Sequence, residues 1–276
     1  LNVVLDIWFV ASFRMGVAGA AWATIISQAV SGALCLIRLL LMRDILHVRL
    51  RSLWPSRELL SQLVRLGLPS GLTQAIFSMA MIVVQSLTNS FGTTIIAVST
   101  VVMRVDGFAM MPNFTFGTAM TTFTGQNIGA KRLDRVEKGT KDGMKIGLVV
   151  SVILVAMILL FGRYLVEMFT STPDVIRLSV HMMQILAVGY VAMAVTQILS
   201  GVMRGAGDTM TPMWISMITT IVIRVPIAYG LAAWLQSPDA LFISMLVSWV
   251  MGAVLTVLAY RMGRWKRKSV ISREAV

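Results

Sequence analysis

The chain has 276 residues, 57% of them hydrophobic and 13% charged, with a formal net charge of +12. A soluble domain of that balance would show large apolar patches to water, and the confinement of the basic residues to loops argues against a nucleic-acid surface. What the composition leaves is an all-α polytopic membrane protein, in which each apolar stretch forms a helix that satisfies its own backbone hydrogen bonds.

Taken in chain order, hydropathy predicts eight apolar stretches over about 1–13, 17–42, 66–89, 93–127, 144–162, 175–203, 210–234 and 239–262, where roughly 20 residues are needed to cross lipid. The first is too short to cross, and the chain begins with Leu1. Both features read as a chain cut inside its first helix, with further helices of the same protein upstream. Gly16, Gly19 and Ala23 open the second stretch at the spacing that lets helix backbones approach closely in lipid. The polar connection 43–63 contains Trp54-Pro55-Ser56-Arg57, a turn leading into an interfacial helix. It divides the chain into the end of an amino-terminal lobe (1–42), a cytoplasmic inter-lobe loop (43–63), a carboxy-terminal six-helix lobe (64–262) and a basic cytoplasmic tail (263–276). Pro112 in the fourth stretch and Pro226 in the seventh each lack a backbone donor and predict kinks, as gates or as packing features. Gly201, Gly205 and Gly207 with Pro212 mark the turn between stretches six and seven.

Most of the 24 basic residues fall on one side of this pattern. They cluster at Arg38 to Arg65, at Lys131 to Lys145 and in the tail from Arg261 to Arg273, whereas the alternate loops carry Arg14, Arg163 and Arg177. The positive-inside rule then places the long loops and the tail in the cytoplasm. Cys35 is the single cysteine, so no intrachain disulfide can form. His47 and His181 stand far apart without ligand spacing, and no phosphate loop, nucleophile elbow or zinc signature is present. No metal, cofactor or enzymatic activity is expected. Asn113-Phe114-Thr115 matches a glycosylation pattern but lies at membrane depth.

A charge at the bilayer centre costs ~2.5–3.5 kcal/mol on insertion scales, so ionisable residues there are functional candidates. Asp6, Arg104, Asp106 and Arg224 qualify. Asn2 shares a helix face with Asp6, and Thr24, Gln28 and Ser31 line one face of the following stretch. A carboxylate, an amide and a hydroxyl converging there would hold a proton, a small cation or water; a solvated Asp6 at a helix end fits the composition equally well. Arg104 and Asp106 point to different sides of one helix, and Asp106 shares its face with Met110 and Asn113. Arg104 and Arg224 admit structural and transport roles alike. Gln74, Ser78, Met81 and Gln85 form a polar stripe expected to face a substrate cavity, and the 21 methionines suit either an adaptable pocket or ordinary packing.

Several segments, in order, resemble the multidrug and toxic compound extrusion (MATE) family. Asn2-Val3-Val4-Leu5-Asp6, then Met15 to Ala21 and Thr24, are similar to that family's fifth and sixth helices. Leu66-Gly67-Leu68-Pro69 is similar to the start of its seventh. Arg104-Val105-Asp106 through Pro112, with Gly125 to Ala130, is similar to its eighth helix and following loop, and Arg204 to Asp208 with Pro212 to the turn before its eleventh. The resemblance implies a two-lobe protein of twelve helices that exports cationic, amphipathic drugs in exchange for protons or sodium. It also implies a cation-coupling site at Asn2, Asp6 and Thr24. Family carboxylates associated with sodium in the seventh and tenth helices are replaced here by Phe77 and Met193, which favours protons. The alternatives are a lipid-linked oligosaccharide flippase with a basic cavity around Arg104 and Arg224, a sodium-coupled drug antiporter, and a non-transporting fragment.

Overall fold

The computed structural model describes residues 1–41 and 56–267. The loop residues Arg43, His47, Arg49, Arg51, Trp54 and Pro55, and the tail beyond 267, lie outside the described residues. Every regular element among the described residues is a helix. In chain order they are α1 (Asn2–Ser12), α2 (Gly16–Leu41), α3 (Arg57–Ser90), α4 (Thr93–Gly129), α5 (Leu133–Glu167), α6 (Pro173–Gly205), α7 (Met210–Leu235), α8 (Asp239–Arg261) and the short α9 (Arg264–Arg267). Seven of them, α2 to α8, are long and apolar enough to cross a membrane. The protein is therefore an all-α polytopic membrane protein.

Two helices start well before their apolar stretches do. The Ser56 hydroxyl accepts the Leu59 N–H at 3.2 Å and caps α3, and Glu58 sits in its first turn, so the polar run from Arg57 to Arg65 is the helix expected after that turn, continuous with the apolar span. α5 begins at Leu133 and carries Lys138, Lys141 and Lys145 on its exposed face before entering its apolar part. Hydropathy reads only the lipid-length part of such helices. The tail also starts differently from expectation: Trp265 is buried on the bundle, stacked on Tyr260 at 5.3 Å and bonded to the Tyr260 carbonyl, while Lys266 pairs with Glu137 of α5.

The chain divides into two compact units, 1–62 and 63–276. In the first, α1 is α-helical to Asp6 and then widens to a π-helix over Ile7–Ser12. The Phe13 N–H reaches back to the Trp8 carbonyl at 3.0 Å. Arg14 and Gly16, with φ of 53° and 55°, then reverse the chain into α2. A Cβ on Gly19 would lie 3.0 Å from the Cβ atoms of both Phe9 and Met15, so a larger residue there would push the two helices apart by a few tenths of an ångström. Gly19 and Ala23 are the buried residues of α2.

In the second unit, α6 is the central helix, packed by α4, α5 and α8. Its approach to α4 is backbone to backbone. A Cβ on Gly201 would lie 2.3 Å from the Gly117 carbonyl oxygen, and one on Gly205 would lie 2.4 Å from the Thr121 carbonyl oxygen. Gly201 and Gly205 are thus packing residues inside α6, not part of the turn the sequence suggested. The turn itself is Gly207, at φ 89°, followed by Asp208, which accepts the Thr211 N–H and hydroxyl. Small residues at both faces let dispersion contacts accumulate where lipid offers no hydrophobic gain.

The two prolines behave differently. α4 continues through Pro112 as an α-helix. α7 instead widens to a π-helix over Ile218–Arg224, immediately before Pro226. Pro226 has no N–H to give the preceding turn, and the Ser248 hydroxyl of α8 donates to the Thr219 carbonyl within the widened segment at 2.8 Å.

Gly201→Val is expected to force the α4–α6 crossing apart at a cost of about 2–3 kcal/mol, lowering the melting temperature in detergent by roughly 5–10 °C. Gly230→Ala, where a Cβ meets nothing within 4 Å, is expected to leave it unchanged. Equal melting temperatures for the two variants would contradict the crossing.

Candidate functional site

The first polar group lies within the amino-terminal unit. The Asn2 Nδ2 donates to the Thr24 hydroxyl at 3.5 Å, and that hydroxyl donates to the Ala20 carbonyl at 2.9 Å. Asp6, one turn along α1 from Asn2, has a buried Oδ1 with no hydrogen-bond partner. The π-helix begins at the next residue. One of its oxygens is closed off without a donor, while the residue as a whole is half-buried. Gln28 is exposed on α2.

The second group is buried in the carboxy-terminal unit. The Tyr190 hydroxyl of α6 donates to the Asp106 carboxylate of α4, and both residues are buried. Asn113 is 1% exposed; it donates to the Tyr190 carbonyl at 3.2 Å and accepts the Ser151 hydroxyl at 3.0 Å. One asparagine therefore ties α4, α5 and α6 together, which also rules out Asn113 as a glycan acceptor. Arg224 is 7% exposed at the end of the π segment of α7 and interacts electrostatically with Asp106. Its Nη2 donates to the Met245 sulfur at 3.4 Å, and its Nε is buried without a partner. The sequence placed Asp106 and Arg224 at membrane depth but named neither Tyr190 nor Met245, since nothing in a helix periodicity tells which residue of another helix comes opposite.

The third feature is a cavity of about 250 Å³ in the carboxy-terminal unit, walled by α3, α4, α6, α7 and α8. Its lining is rich in hydroxyls and amides and includes Gln74, Gln197, Arg204 and Arg224, with no carboxylate among the described lining residues. Phe77 and Met193 both contribute to it. The polar stripe of α3 runs past the cavity: Gln74 lines it, whereas Ser78, Met81 and Gln85 do not, and Gln85 instead donates to Asn89 at 2.9 Å. Asp106 lies outside the lining too. Arg104 is exposed, with its guanidinium 6.0 Å from the Phe169 ring centroid. A single basic cavity around Arg104 and Arg224 is therefore not what the chain builds; the arginine that shares the cavity with Arg224 is Arg204. His181 of α6 lies 3.4 Å from Asp239 of α8.

Tyr190→Phe is expected to leave the buried Asp106 without its hydroxyl donor and to destabilise the unit by about 1–3 kcal/mol. Combined with Asp106→Asn, the loss should be smaller than the sum of the single losses by at least ~1 kcal/mol in denaturation. Additive effects would contradict a direct bond.

Residues 69–230 match the MatE family model. The chain is 32% identical over 275 residues to "Probable multidrug resistance protein YpnP" of Bacillus subtilis, covering 99% of this chain and 61% of that protein. It is 27% identical over 264 residues to "Probable multidrug resistance protein NorM" of Thermotoga maritima, covering 95% of this chain and 57% of that protein. Among solved structures, a MOP superfamily transporter from Pyrococcus furiosus, reported with a reversed polarity of its binding pocket, superposes with a TM-score of 0.89 at 27% identity, over 97% of this chain and 60% of that one. The chain thus spans about three fifths of the length of these relatives. The match to the family model covers more than half of the chain and takes in α4, α6 and most of α3 and α7, four of the five helices that wall the cavity: the chain belongs to the MatE family.

Proposed function

We propose that the full-length protein exports cationic, amphipathic compounds in exchange for protons by alternating access, from a bacterial cytoplasmic membrane with its basic tail in the cytoplasm. The observation that carries the coupling is Asp6: a carboxylate with one oxygen buried and unpartnered, one turn from the Asn2–Thr24 hydrogen bond and directly before a π-helix. Ionised, that oxygen lacks a donor; protonated, it becomes one. Protonation therefore changes which local backbone arrangement α1 prefers, and a π segment is a place where a helix can re-register its hydrogen bonds. Such a switch couples to transport only if the two states of the protein hold the proton differently. α1 changing its bonding with the charge of Asp6 supplies that difference.

Protons are favoured over sodium because Phe77 and Met193 line the carboxy-terminal cavity without offering an oxygen ligand. A flippase for lipid-linked oligosaccharides would be supported by one cavity holding both Arg104 and Arg224, and Arg104 stands apart from it. Full export of a drug after substitution of both arginines would set the flippase reading further aside.

Asp6→Asn in the full-length protein is expected to reduce export of a fluorescent cation driven by a pH gradient by at least about tenfold, with the protein still folded and inserted. Undiminished export would remove Asp6 from the coupling mechanism.

A further inference from the structure

The cavity of the carboxy-terminal unit has a charge character that does not suit a simple cation. Two arginines line it, Arg204 and Arg224, and no described lining residue is acidic. Arg224 is held at membrane depth, 7% exposed, with its Nε buried and unpartnered and its Nη2 on a thioether, a weak acceptor. A guanidinium has five donors in a rigid fork that matches a carboxylate or a phosphate. The Arg224 Nε is closed off from the cavity, so an anion would be met by the Nη side of the fork, where the thioether at Nη2 is a weak acceptor that a carboxylate or phosphate replaces with gain. The hydroxyls of Ser200, Ser216 and Thr220 line the same space and can donate to an anion. Phe77, Phe114, Met193 and Trp249 supply apolar walls.

We infer that this cavity binds the anionic group of an amphipathic molecule against Arg224, with the molecule's apolar body against Phe77, Met193 and Trp249. The substrates it accepts there carry a carboxylate or phosphate together with the cationic group that the transport reading assigns them. Asp106 tempers the site from behind. It is buried and bonded to Tyr190, lies outside the lining, and offsets part of the field of Arg224 without occupying the space in front of it. An arginine with no counter-charge would hold its anion too tightly to release it, and one in a direct ion pair would not bind it. The inference deepens the transport reading above and relies on it only for the cavity lying on the substrate's path; binding is measured separately from transport.

The test uses the full-length protein in an uncharged detergent and two fluorescent probes that differ in charge alone, dansylglycine and its primary amide. The acid is expected to bind about tenfold more tightly than the amide, the size of one charge-assisted hydrogen bond. Arg224→Gln should abolish the preference and Arg224→Lys should keep part of it. Asp106→Asn should widen the preference several-fold, because it removes the competing negative charge; general damage to the unit would narrow it. Equal affinities for acid and amide in the unaltered protein, or a preference unchanged or reduced in Asp106→Asn, would overturn the inference even where Arg224→Gln fails to fold. Displacement of dansylglycine by phosphatidylglycerol but not by phosphatidylcholine would assign the site to a lipid headgroup of the same chemistry, and no displacement by either would assign it to a free solute. A preserved preference in a protein without pH-driven export would uphold the site and remove the coupling reading. Export of a fluorescent cation without any preference would do the reverse.

Discussion

The close crossing of α4 and α6 is the constraint on which the carboxy-terminal unit depends. Hydrogen is the only substituent that fits at Gly201 against the Gly117 carbonyl and at Gly205 against the Thr121 carbonyl. Because the contact is between backbones, it fixes the register of the two helices as well as their separation. That register puts the Tyr190 hydroxyl on Asp106 and the Asn113 amide on the Tyr190 carbonyl, and Ser151 of α5 completes the group. It also sets Thr118 of α4 and Gln197 of α6 into the wall of one cavity. In lipid, where apolar side chains gain little from meeting each other, close packing and satisfied polar groups must supply the specificity that a hydrophobic core supplies in water.

Two of the ionisable residues at membrane depth, Asp6 and Arg224, sit where helical regularity is broken, whereas Asp106 lies within the regular helix α4. Asp6 ends the α-helical part of α1 and is followed by a π segment, and Arg224 ends the π segment of α7. A π turn misaligns the backbone ladder by one residue and leaves carbonyls and donors that side chains can reach, as Ser248 reaches Thr219. The cause differs in the two units. In α7 it is Pro226, which cannot donate to the turn before it. In α1 the widened turn runs into the reversal at Arg14 and Gly16, which Gly19 lets α2 follow closely. Both breaks leave a buried polar atom unpartnered, Oδ1 of Asp6 and Nε of Arg224. The coupling proposed above uses the first, and the anion site inferred above lies at the second.

Much of the architecture was legible in the sequence, because lipid imposes a length and a hydropathy that few other environments do. All seven spans of sufficient length correspond to predicted stretches. The differences lie at the ends, where the expected interfacial helix after Ser56 runs unbroken into α3 and Leu133–Lys145 continues as helix beyond the apolar core. The glycines of α6 were misread because a glycine near a helix end is equally consistent with a turn and with close packing, and only the position of α4 decides between them. The polar stripe from Gln74 to Gln85 was legible as a stripe, but the extent of the cavity depends on where neighbouring helices end. Tyr190 escaped notice for the same reason: as a lone tyrosine in an apolar helix it has no signature until Asp106 is placed opposite it. The MatE family membership rested on an ordered set of short segments rather than on one motif, and order along a chain survives even when partners across helices cannot be read.

The central claim is that the carboxy-terminal cavity, with Phe77 and Met193 and no carboxylate among its described lining residues, has no anionic ligand for sodium, so that coupling runs through a proton at Asp6. Its most direct test is the counter-ion dependence of transport in vesicles holding the full-length protein. An imposed pH gradient and an imposed sodium gradient are compared at equal driving force. The account predicts uptake of a fluorescent substrate under the pH gradient and none above background under the sodium gradient. Uptake driven by sodium with no response to pH would contradict it.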